Sequence, residues 1–140
     1  MKSNLSSGLE DYIETIYISE LEKVSLKGAD LARKMGISRA SVSEALGKLS
    51  DKGLVRYESY GQITLTDEGR KQAGIVYNKH NIIERFFVNV LGVNQSEASE
   101  NACRIEHVIS GELLNKIHAF THFADANNEI FNKFKESYRL

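Results

Sequence analysis

Cys103-Arg104-Ile105-Glu106-His107 places a thiol, a carboxylate and an imidazole within five residues. All three groups ligate divalent metals, and on a helix Glu106 and His107 follow Cys103 by three and four positions, on one face. Read as a helix, the segment lets all three side chains converge on one ion. Three ligands rarely complete a site, so others must come from elsewhere in the chain. The sequence offers Asp11 and Glu14 near its start and His80 and Glu84 in its middle. Taken singly, each has an ordinary explanation. A lone Cys is usually a small buried hydrophobe, and a lone His is a core or solvated residue. An isolated acidic pair is a solvated face that also favours a helix N-terminus. The combination is what points to a metal centre. Glu84 has a second reading, as partner to a basic neighbour or part of a second metal shell. His118 and His122 share the i, i+4 spacing but belong to no recognisable motif, and are read as surface or packing residues.

The elements that must position these groups follow from the periodicity. Apolar residues at 9, 12, 13, 16 and 17 mark an amphipathic helix over Leu9–Leu21, with Ser6 or Ser7 as its cap. A short helix from Lys27 to Met35 ends at Gly36, and a third runs from Arg39 to Lys52, capped by Ser38 and ended by Gly53. Alternation over 54–57 and 62–65 around a turn at 58–61 predicts a β-hairpin. A long helix follows from Asp67 to about Leu91, ended by Gly92, with His80 and Glu84 on one side. Further helices are expected over about 96–109, 111–123 and 125–138. The chain contains no proline, which suits this helical content. The expected fold is mostly α: a winged helix-turn-helix with a small hairpin wing over residues 1–72, then an all-helical half over 73–140.

The formal net charge of −1 gives no global pull toward nucleic acid. Local charge does: between Lys27 and Arg56, seven basic residues stand against three acidic ones. The third helix has the character of a reading helix, with Ser38, Arg39, Ala40, Ser41, Ser43 and Glu44 in its first turns and Lys48 one turn on. Val42, Ala45, Leu46 and Leu49 form its opposite, buried face. Serines suit phosphates, Arg39 a phosphate or guanine, Ala40 a thymine methyl, and Glu44 a cytosine amine. Lys27 adds positive charge beside them, and Tyr60 and Gln62 in the wing suit the DNA backbone. Several of these residues serve equally well as helix caps or solvated positions. One cysteine excludes an internal disulfide framework and suits a reducing cytoplasm. Residues 1–7 have no apolar signal core, and no apolar run approaches the roughly 18 to 20 residues that span a bilayer.

With these residues in view, the sequence resembles the diphtheria toxin repressor and manganese transport regulator family of metal-dependent transcriptional repressors. The resemblance rests on Leu9-Glu10-Asp11-Tyr12-Ile13-Glu14-Thr15-Ile16-Tyr17, the winged helix, Thr66-Asp67-Glu68-Gly69, His80, and Ala102-Cys103-Arg104-Ile105-Glu106-His107-Val108. It implies a homodimer with an N-terminal winged helix, a helical dimerisation half and activating metal bound between them. The manganese branch places ligands at Asp11, Glu14, His80, Glu106 and His107. Cys103 stands where the best-known manganese regulator has a glutamate and the iron branch a cysteine, whereas the iron branch has a methionine at the position of Asp11. The chain thus mixes two patterns, and in length it looks like the short manganese type, without the SH3-like third domain of the iron branch.

The resemblance implies manganese(II) or iron(II) as effector. Hard oxygens at Asp11, Glu14 and Glu106 suit both metals, while a Cys103 thiolate tilts toward iron and softer ions, so other divalent metals are expected to substitute in vitro. Six ligand candidates exceed one tetrahedral shell, which leaves room for two ions per subunit. The expected function is metal-dependent repression of metal-homeostasis genes through palindromic double-stranded operator DNA. Coordination ties the DNA-binding half to the other half and sets the spacing of two recognition helices. Two competing readings are a winged-helix regulator without metal response and a dinuclear hydrolytic metalloenzyme. Against the enzyme, no nucleophile or substrate loop is recognisable.

Overall fold

The computed structural model describes residues 4–58 and 61–138. They divide into two compact units, with the boundary between Val76 and Tyr77.

In the first unit, α1 (Ser7–Leu21), α2 (Gly28–Met35) and α3 (Arg39–Asp51) precede β1 (Val55–Arg56) and β2 (Thr64–Leu65). The hydroxyl of Ser6 accepts from Leu9 N and that of Ser38 from Ser41 N, each satisfying an otherwise unpaired amide of a first turn. Gly36 and Gly53 follow α2 and α3 in the left-handed region, with φ of 66° and 71°, where a Cβ is costly. The apolar stripes of α1, α2 and α3 enclose one core that includes Ile13, Ile16, Leu31, Leu46 and Leu49, and Leu54, Val55, Ile63 and Leu65 of the hairpin close it. Each such side chain contributes about 1.5–3 kcal/mol by leaving water. This arrangement is a winged helix-turn-helix.

The wing is shorter in regular ladder than the alternation suggests, pairing only Val55 with Leu65 and Arg56 with Thr64. Ile63 N–H is instead donated to Leu26 O at 2.8 Å, and Gln62 bridges to Lys27. The second arm is therefore shared with the segment entering α2, a pairing of distant residues that local alternation cannot reveal. At the base of the wing, Thr66 Oγ1 donates to Gly53 O at 2.6 Å and accepts from Gly69 N at 3.0 Å, while Thr66 N donates to Leu54 O. A second clasp comes from Glu20: it accepts from Leu65 N through Oε1 and from Arg70 Nε through Oε2, both at 3.0 Å.

The long helix α4 (Asp67–Arg85) begins in the first unit and ends in the second. It does not continue to Leu91 as an α-helix. Phe86–Val90 is a π-helical turn, with Leu91 N–H donated to Phe86 O. The wider turn carries one more residue than an α turn, and Phe87 packs with Ile82 and Ile105 on Ile83, Ala102 and Leu114. Gly92, at φ 73°, stops the run. The rest of this unit is α5 (Gln95–Ile105), α6 (Gly111–Ala126) and α7 (Asn128–Ser137). Asn94 and Ser110 cap α5 and α6 through their side-chain oxygens. No helix is long and apolar enough to cross a membrane among the described residues.

Candidate metal centre and nucleic-acid interface

Three of the expected ligands meet in the second unit. α4 carries His80, α5 carries Cys103, and Glu106 is the C-cap of α5. One donor atom from each lies within 4.8 Å of the others. His80 Nδ1 is 2.7 Å from Glu106 Oε2, and Ser99 Oγ is 3.3 Å from His80 Nε2. Glu106 is fully buried, at 0% exposure, and its Oε1 has no hydrogen-bond partner among the described residues. A carboxylate held out of water with one oxygen unsatisfied is costly unless positive charge stands beside it. In the chain alone that charge is on His80. Its hydrogen bond to Cys103, then that to Glu106, push its pKa up from 6.5 to about 10 against the effect of burial. Imidazole nitrogen, thiolate sulfur and carboxylate oxygen around an unsatisfied buried oxygen form a donor set that fits a divalent transition metal.

His107 is placed differently from the helical expectation. α5 ends at Ile105 and the chain turns over 106–108, so His107 does not join Cys103 in the cluster. The imidazole that converges with Cys103 and Glu106 is that of His80, from another helix. His107 Nε2 lies instead 3.6 Å from Glu106 Oε1, with its side chain 8% exposed. Glu106 thus turns one carboxylate oxygen to each histidine. Glu84 stands at the edge of this group, its Oε1 3.9 Å from His80 Nε2 and accepting from Gln95 Nε2 at 2.6 Å. In the first unit, Asp11 and Glu14 lie on α1, half-buried and buried respectively; burial of Glu14 departs from a solvated acidic face. Sequence reading overlooked Ser99 and Gln95. Ser99 precedes Cys103 by four residues and so shares its helical face, which was a usable signal.

The reading-helix residues are arranged for access. Ser38, Arg39, Ala40, Ser41, Ser43, Glu44 and Lys48 are all exposed, whereas Val42, Ala45, Leu46 and Leu49 are buried. Ser38 is occupied as the cap, and its hydroxyl also meets Ser41 Oγ at 2.9 Å. Lys48 Nζ contacts Glu44 Oε1 at 2.8 Å and holds the Glu44 carboxyl below its usual range. Lys27 and Gln62 are exposed where the second wing arm meets the entry to α2. A cleft of about 640 Å³ opens between these elements, bordered by Lys27, Arg39, Ser43, Tyr57 and Glu58. Tyr57 is a further wing aromatic that the sequence reading did not single out. Tyr60 lies outside the described residues.

Comparison with known proteins bears on both regions. Residues 4–63 match the family described as iron dependent repressor, N-terminal DNA binding domain. Residues 66–130 match its companion, the iron dependent repressor metal binding and dimerisation domain. An uncharacterized HTH-type transcriptional regulator of Methanocaldococcus jannaschii is 38% identical over 83% of this chain and 94% of its own length. The iron-dependent repressor IdeR of Mycobacterium tuberculosis is 36% identical over 74% of this chain and 45% of its own. A solved structure, a manganese-dependent transcriptional repressor in complex with manganese, superposes with a TM-score of 0.76 at 33% identity, covering 82% of this chain and 53% of that one. The chain spans about half the length of these last two proteins.

Proposed function

The chain belongs to the iron-dependent repressor family of metal-dependent, DNA-binding transcriptional repressors, and on that premise we propose that it represses metal-homeostasis genes in response to manganese(II) or iron(II). The observation that carries this reading is the convergence of His80, Cys103 and buried Glu106 around an unsatisfied carboxylate oxygen. Because the family consists of repressors, the metalloenzyme reading falls away. Residues 1–72 would serve DNA binding and 73–140 metal binding and dimerisation.

His80, Cys103 and Glu106 would hold the ion, with His107 and Glu84 as adjoining ligands and Asp11 and Glu14 contributing from α1. When bound, a divalent cation supplies the positive charge that lets several carboxylates and a thiolate share one centre. The number of donors allows two ions per subunit. Glu106 is central to this proposal because its two oxygens face two histidines. Coordination by residues of both units would restrict their relative motion, and metal and DNA affinities would then be coupled reciprocally.

For DNA recognition, Arg39, Ala40, Ser41, Ser43 and Glu44 would face the major groove. Lys27, Ser38, Lys48, Tyr60 and Gln62 would contact the backbone. In a homodimer, two such helices would meet a palindromic operator at successive major grooves, about 34 Å apart. The reducing cytoplasm suits a DNA-binding chain whose metal ligands include a thiol.

The test is fluorescence anisotropy of metal-stripped protein on DNA from its own promoter region, titrated anaerobically with manganese(II) and iron(II) in separate runs. A rise in specific affinity of tenfold or more with either metal is expected, and the stronger response names the effector. Equal affinity with and without metal would leave a metal-independent winged-helix regulator as the better account.

A further inference from the structure

We propose that His118 and His122 form a second metal site, made of nitrogen donors alone and suited to zinc(II), nickel(II) or copper(II). The two residues sit one turn apart on α6, and their Nε2 atoms are 3.1 Å apart. The rings are tilted by 56° with centroids at 4.7 Å, which keeps both nitrogens within reach of one ion. With metal–nitrogen bonds of about 2.0–2.1 Å, that separation subtends about 95–100° at the ion, between the octahedral and tetrahedral angles. Without metal, one imidazole N–H is donated to the other ring.

Both histidines are exposed, which leaves the remaining coordination positions to water. They border a cleft of about 170 Å³ with Asn78, Asn81, Thr121 and Asp125. The Asp125 carboxylate is already engaged, accepting from Arg85 Nη2 at 2.6 Å and Asn89 Nδ2 at 3.3 Å. The direct ligands are therefore the two imidazoles. This donor set separates the site chemically from the carboxylate- and thiol-bearing centre at His80, Cys103 and Glu106. Imidazole favours zinc, nickel and copper, whereas manganese(II) prefers oxygen.

The test uses the whole 140-residue chain, stripped of metal, and its His118→Gln and His122→Gln variants. Both positions are exposed, and circular dichroism is the check that the variants fold. Equilibrium dialysis against zinc(II), read by elemental analysis, is expected to give one zinc ion per chain fewer in either variant, with manganese(II) content unchanged. With four histidines in the chain, the imidazole proton resonances also separate in an NMR spectrum. Zinc should shift those of His118 and His122 together, and the surviving partner's shift should be lost in each single variant. Equal zinc content in wild type and variants, or zinc-insensitive resonances for this pair, would overturn the proposal. So would an equal loss of manganese, since the site would then not discriminate by donor type.

Discussion

His80 Nδ1 and Glu106 Oε2 stand 2.7 Å apart across two helices, joining α4 to the end of α5 through a carboxylate with no exposure to water. This pair concentrates the chemistry of the second unit. Replacing Glu106 with Gln keeps its shape but removes its charge. The expected outcome is a fall of at least about tenfold in affinity for manganese(II) and iron(II), in line with the loss of a charged metal ligand. Titration calorimetry on the metal-stripped variant measures it, and unchanged affinity would remove Glu106 from the ligand set.

The same pair gives the metal-free protein a pH dependence of defined sign. The His80 pKa is raised from 6.5 to about 10 in the folded chain, so the folded state binds the proton more tightly than the unfolded state. Its contribution to stability is complete below about pH 6.5 and disappears as pH rises toward 10. Urea unfolding of stripped protein across that range should show a progressive loss, and His80→Gln should flatten the slope. A slope of opposite sign would contradict the assigned ion pair.

Gly69 is fixed by close packing. A Cβ at this position would lie 1.9 Å from the carbonyl oxygen of Leu54, and that carbonyl belongs to backbone already bonded to Thr66 N. Neither side can yield cheaply. Gly69→Ala is expected to destabilise the chain by about 3 kcal/mol, the upper part of the range for overpacking, measurable by urea denaturation. A cost below about 0.5 kcal/mol would mean that the base of the wing is more compliant than its hydrogen bonds suggest.

Arg39 is exposed on the first turn of α3, so Arg39→Ala should leave stability within about 0.5 kcal/mol of wild type. Its effect should fall on DNA. If Arg39 meets a guanine, the variant loses about 1–3 kcal/mol of discrimination at one base pair; a phosphate contact instead lowers affinity for all sequences and reduces the salt slope by about one. Anisotropy at several salt concentrations distinguishes the two, and unaltered binding would exclude both.

Much of this architecture is legible in the sequence because it is local. Caps at Ser6 and Ser38, stops at Gly36 and Gly53, and the 3.6-residue stripe of α1 announce themselves within a few residues. What the sequence hides is set by distant partners. The amide of Ile63 is spent on Leu26, and no alternation pattern encodes that pairing. The turn at Phe86–Val90 opens into a π-helix that a continuous apolar stripe cannot announce. For the candidate metal centre, the residue types stand in the sequence but their grouping does not. Cys103 and Glu106 meet His80 from α4, while their sequence neighbour His107 takes the other side of Glu106 because α5 has already ended. Of the residues beside Glu84 and His80, Ser99 carries the helical spacing to Cys103, whereas Gln95 emerges only from proximity.

The knot at Thr66 has a consequence for how such a protein can diversify. Because its hydroxyl and amide return the chain to Gly53 and Leu54, the excursion from 53 to 66 departs from and comes home to one anchored spot. Loop-closure entropy grows only as the logarithm of length, about 0.6 kcal/mol per doubling. Residues can therefore be added or removed around Glu58–Gly61 while the anchor keeps α3 and the start of α4 in register. The length of the wing becomes an independently adjustable dimension, one that can change while α3 stays where it is.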